Sequence, residues 1–151
     1  MKSYEEVKSI LSDIEPTDAM YAKLNEEDIP IIKELLQEPE QWLASRAVFA
    51  LSKFHTQPTF DILSGLVNDQ RVSIRVSLAS CANKLPPEVS LNILHNLIDD
   101  SETGVRKFAY QSIIPNTNQE FNEHLKSVFA REHDPYLKEI LDKKISDLNI
   151  R

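Results

Sequence analysis

Glycine is nearly absent from this chain. Only Gly65 and Gly104 occur in 151 residues. Tight hairpins, barrel corners and phosphate-cradling loops draw on glycine's access to positive φ, so its scarcity argues against them and favours helices joined by short turns. Cysteine is scarcer still. A lone Cys81 cannot close an internal disulfide. Its apolar surroundings in the sequence read as a small packed hydrophobe, not as a nucleophile with an activating base and some exposure. No run of about 18 apolar residues occurs, so no membrane span is expected. The opening stretch MKSYEEVKSILSDI carries acids and lacks a long apolar core, which does not read as a signal peptide. A cytoplasmic location is the expectation. Positive charge is also short: 17 Lys and Arg stand against 24 Asp and Glu, a formal net charge of −7. Proteins that bind nucleic acid use Lys and Arg to displace counterions from phosphate, so the balance argues against that role. An acidic surface suits solubility or a basic partner. His55, His95, His124 and His133 form no His-Glu-x-x-His pattern, so neither metal nor cofactor is expected.

What the chain does have is repetition. Glu40, Asp69, Asp100 and Glu132 each precede a basic residue by six positions: Arg46, Arg75, Arg106 and Lys138. Those four basic residues are spaced by 29, 31 and 32 positions. A period near 30 signals stacked copies of one supersecondary unit, none of which can bury its apolar face alone.

Helical periodicity fills the units in. A first amphipathic helix is predicted over 4–14, capped by Ser3 with Glu6, and a short helical piece over 17–24. Four helix pairs follow: 27–37 with 40–54, 58–67 with 70–85, 87–98 with 102–114, and 118–130 with 135–149. The apolar stripe of 40–54 is read as Trp42, Leu43, Ala47, Phe49, Ala50 and Phe54, and that of 70–85 as beginning at Val72. Pro58 and Pro87 fall in first turns, where the missing N–H costs nothing. The expectation is one all-α domain over 1–151: an α-α superhelix of about four helix pairs over 25–149, with capping helices over 1–24.

The second helices carry a further pattern: DQRVSIRVSLA (69–79), DSETGVRKFA (100–109) and EHDPYLKEIL (132–141). An acid is followed by an aliphatic residue and arginine, then by small residues, with a proline in the last copy. This resembles the HEAT-repeat family. EQWLASRAVFA (40–50) departs, with Ser45 before Arg46, and the last copy has Lys138 for arginine and Asp142 for a small residue. The resemblance implies that acid and arginine bond across neighbouring units. Asp69, Arg75, Asp100, Arg106 and Glu132 are then structural, in a ladder with Arg46 and Lys138. It says almost nothing about function.

Two surfaces are candidates for binding. Eight acids fall at the turns within the pairs: Glu38, Glu40, Asp69, Asp99, Asp100, Glu102, Glu132 and Asp134. They cap helices and complement helix dipoles, or form an acidic ridge for a basic partner, and the two roles are compatible. The second surface is a strip of Ala44, Val48, Ser73, Ser77, Phe108 and Tyr136, which the resemblance places on the concave side. In so short a repeat these residues either face solvent or are covered by neighbours. The expected function is non-enzymatic: a monomer that binds one basic protein, as an inhibitor or immunity protein would neutralise a nuclease toxin. The alternatives are a generic adaptor and, from another class, a HEAT-like DNA glycosylase, which needs a basic, aromatic-lined groove.

Overall fold

A computed structural model describes residues 1–150. All ten predicted helices form: α1 (Tyr4–Leu11), α2 (Asp18–Tyr21), α3 (Ile29–Leu35), α4 (Gln41–Leu51), α5 (Gln57–Gly65), α6 (Val72–Cys81), α7 (Pro87–Leu97), α8 (Thr103–Gln111), α9 (Gln119–Arg131) and α10 (Pro135–Leu148). Short 3₁₀ turns lie at Glu26–Asp28, Leu66–Asn68 and Ala82–Lys84, and no strand occurs among the described residues. The helices are shorter than periodicity suggests, because 3₁₀ geometry takes over at several ends. The chain divides into two compact units, Met1–Leu78 and the remainder from Ala79.

In the first unit, Ser3 and Glu6 form the expected capping box of α1. The helix stops at Leu11 rather than running to 14. The Arg46 guanidinium takes the Leu11 carbonyl at 2.8 Å and also bonds the carbonyls of Asp13 and Ile14. Carbonyls turned toward a cation are lost to the helix ladder. The helices α1, α3 and α4 pack on one another through Val7, Leu11, Ile32, Leu35, Leu43 and Leu51, all buried. Ala44, Ala47 and Ala50 on α4 are fully buried, and their small size permits close helix approach. Asp28, also fully buried, ties the N-terminus down. Its carboxylate accepts from Lys2 N at 2.8 Å, Lys2 Nζ at 3.1 Å and Asn25 N at 2.9 Å.

In the second unit, α7 through α10 pack around Ile93, Leu94, Leu97, Val105, Phe121, Leu125, Leu137, Leu141 and Ile145. Each such apolar side chain contributes roughly 1.5–3 kcal/mol by leaving water. Ser112 Oγ donates to the Ala79 carbonyl at 2.6 Å, satisfying a buried pair. Asn149, in the left-handed region at φ 57, closes α10.

Candidate functional site

The ladder residues separate into three kinds. Arg106 pairs with an acid of the following repeat, as the resemblance implies. Its Nε and Nη2 donate to Glu132 at 2.9 and 3.2 Å, and its Nη1 donates to the Asp100 carbonyl at 2.9 Å. Arg75 repeats the last contact, donating to the Asp69 carbonyl at 2.7 Å. Arg46 and Lys138 differ. Arg46 meets the carbonyls that close α1, while Glu40 accepts instead from Trp42 Nε1 at 2.7 Å. Lys138 lies over the Phe129 ring at 4.8 Å. The end copies have thus kept the cation and changed its partner.

Glu132 is the most constrained acid of the eight. It is 5% exposed and accepts from Arg106, from the Tyr110 hydroxyl at 2.5 Å and from Asp134 N at 3.2 Å. Burial pushes its carboxyl up, but the bonds from Arg106, Tyr110 and the Asp134 amide more than offset that, and it falls to about 2. Burial and the same carboxylate hold the Tyr110 hydroxyl well above its usual range. These groups line an open cleft of about 610 Å³ in the second unit, with Asp99, Asp100, Thr103, Arg131 and His133. Asp99 bonds Arg131 at 2.8 Å. His124 Nε2 lies 3.0 Å from Asp99 without hydrogen-bond alignment, and its ring stacks on His95 at 4.3 Å.

Most of the other turn acids are also engaged within the protein. Asp69 accepts from Arg71 Nε and Nη2, both at 3.0 Å, and that bonding holds its carboxyl below the usual range. Glu38 takes the Tyr4 hydroxyl and Lys8. The Tyr4 hydroxyl bond draws the Glu38 carboxyl down and the Tyr4 hydroxyl up to about 12. Asp134 caps α10, and Asp100 accepts from Glu102 N at 3.0 Å. Glu102 is exposed. As a docking ridge the set therefore needs correcting: internal hydrogen bonds take up Asp69 and Asp100, and Glu40 and Glu102 are the exposed members of the partner-binding set.

The proposed strip needs correcting too. Ala44 and Val48 are fully buried and Ser77 is 5% exposed, its hydroxyl turned to the Ser73 carbonyl at 2.9 Å. All three are buried, so they are core and not a contact surface. Ser73 and Phe108 are half-buried, whereas Tyr136 is 56% exposed. Lys107 Nζ lies 5.4 Å from the Phe108 ring and 5.6 Å from that of Tyr136, so one ammonium faces both rings. Trp42 and Val72, assigned to apolar stripes from periodicity, are instead 46% and 40% exposed.

Sequence reasoning missed Arg71, Tyr110 and Asp28. A signal existed for two of them. Arg71 follows Asp69 by two positions, within reach of the same carboxylate. Tyr110 follows Arg106 by four, on the same helix face.

No known family's sequence profile matches this chain, and no curated protein matches it in sequence. Solved structures do match. One is the complex of CpcE and CpcF of phycocyanin lyase from Nostoc sp. PCC7120, with a TM-score of 0.71 and 16% identity over 93% of this chain and 96% of that one. Another is a designed armadillo repeat protein in complex with the peptide (KR)4, with a TM-score of 0.56 and 15% identity over 95% of this chain and 80% of that one. The fold is therefore that of an all-α helical-repeat solenoid.

Proposed function

We propose that this chain is a non-enzymatic protein-binding module for a basic protein. One observation carries the reading. On a chain of net charge −7, two aromatic side chains stand out into solvent at the second position of second-in-pair helices. They are Trp42 on α4, 46% exposed, and Tyr136 on α10, 56% exposed. Exposed aromatics of this size are the residues that anchor interfaces, while surrounding carboxylates steer a cationic partner inward. The fold neighbours lend support, since one was solved in a two-protein complex and the other with a peptide of alternating lysine and arginine. The specific role that fits is that of an inhibitor or immunity protein covering the cationic rim of an enzyme such as a nuclease toxin. The CpcE–CpcF pair favours a second reading, in which the chain is one half of a two-protein assembly and its partner is another helical repeat.

Capture of partners by the tagged chain at low and high salt tests the proposal. A basic partner released as salt rises is expected, with a slower on-rate for Glu102→Lys and a faster off-rate for Tyr136→Ala. Salt-insensitive capture with both variants like wild type would overturn it. So would cleavage or binding of nucleic acid by the chain alone.

A further inference from the structure

Trp42 differs from the other exposed apolar residues in being fixed from two sides. Its Nε1 donates to Glu40 Oε2 at 2.7 Å, which sets the plane of the indole. The Arg46 guanidinium, one helical turn on, stacks at 4.9 Å from the ring centroid. Arg46 is itself held by the carbonyls of Leu11, Asp13 and Ile14. With 46% of the residue still accessible, the ring is a rigid platform and little rotamer freedom remains to be lost on binding.

The surroundings decide what the platform takes. Arg46's charge is directed at carbonyls at the negative end of the α1 dipole. The loop beside it carries Asp13 and Glu15, both exposed, and Ile14, 93% exposed. Glu40 lies at the edge of the ring. An electron-rich indole with a carboxylate held at its edge suits a guanidinium. Arg46 already stacks a guanidinium against this ring.

We infer that Trp42 and Glu40 form a seat for an arginine side chain presented by the basic partner. The inference rests on the protein-binding reading and names one of its contact points. Arginine stacks on the indole while donating to Glu40, which lysine does less well because its ammonium is a compact, strongly hydrated point charge.

Trp42 is the sole tryptophan, so its emission reports the site directly. The full chain is titrated with hexa-arginine, hexa-lysine and hexa-glutamate peptides, followed by tryptophan emission and, with labelled peptides, by anisotropy. Hexa-arginine should give a saturable emission change and bind more tightly than hexa-lysine, and hexa-glutamate should give neither signal. Trp42→Ala and Glu40→Gln should each weaken hexa-arginine about fivefold or more, with far-UV circular dichroism unchanged. Trp42→Phe should recover part of the affinity lost in Trp42→Ala. Equal affinity of hexa-arginine for wild type and Trp42→Ala, with emission unmoved, would overturn the seat while leaving a basic partner elsewhere on the chain. Absence of binding by any cationic peptide would also overturn the seat, and the wider reading would then stand or fall on salt-dependent capture. An equal response to hexa-glutamate would refute the guanidinium assignment.

Discussion

Replacing Glu132 by glutamine keeps the shape of the side chain and removes its charge. In the native protein that carboxylate is 5% exposed and accepts two bonds from Arg106, one from Tyr110 and one from the Asp134 amide. The drop of its pKa from an ordinary 4.5 to about 2, at 1.36 kcal/mol per pH unit, corresponds to about 3 kcal/mol of stability at neutral pH. Because the folded value is the lower one, that stability is fully present above 4.5 and is lost as pH falls from 4.5 through about 2. Glutamine does not titrate. Glu132→Gln should therefore be about 3 kcal/mol less stable than wild type at pH 7, and the gap should shrink to roughly half or less at pH 3, well below the unfolded value. Urea unfolding followed by circular dichroism at both pH values measures it. If the two compact units unfold in separate steps, only the transition of the unit holding Glu132 should move. A variant within about 0.5 kcal/mol of wild type at pH 7 would refute the reasoning. A gap of the same size at both pH values would show that the carboxylate's charge is not what matters.

Other charged residues differ in testable ways. Arg71→Ala should lower the melting temperature by several degrees, as expected for a loss of about 1–2 kcal/mol, because it removes the paired bonds to Asp69 and the bond to the Leu36 carbonyl at 2.6 Å. Lys138→Ala, which removes a cation stacked on Phe129, should cost less, and equal shifts would count against an ion-pair ladder. Asp28→Ala should release Lys2 and the start of α1, seen as faster amide exchange over residues 2–7 in the native state, and unchanged exchange there would show that Asp28 does not hold the N-terminus.

Fold was legible because it depends on period. The 3.6-residue apolar rhythm located all ten helices, and the acid-to-base interval of six located the second helix of each pair. Helix ends were less legible, since they depend on which distant group takes the last carbonyls. No local pattern at Leu11 announces that Arg46, 35 residues away, will bond there. Exposure was misread for the same reason. Periodicity shows that Trp42 and Ala44 share a helix but not that Ala44 is buried while Trp42 is exposed.

The charges follow one rule that links fold and site. Arg46 takes the carbonyl of Leu11 and Arg71 that of Leu36, each across 35 residues, and Lys144 takes those of Gln111 and Ile113. All of these acceptors lie at or just beyond helix C-termini, where unpaired carbonyls and the negative end of the dipole favour a cation. The acids in the turns are engaged in parallel, as caps and as partners for Arg71, Arg106 and Arg131. Most of the conspicuous charge pattern therefore serves helix ends. Trp42, Val72 and Tyr136 are three of the five large apolar residues exposed among the described residues, and each occupies the first or second position of the second helix in its pair. In the same first turns Leu43, Ile74 and Leu137 are buried, so the exposed residues lie on the face of the helix turned away from the core. The proposed binding accordingly rests on the aromatics Trp42 and Tyr136 rather than on the ridge of acids beside them.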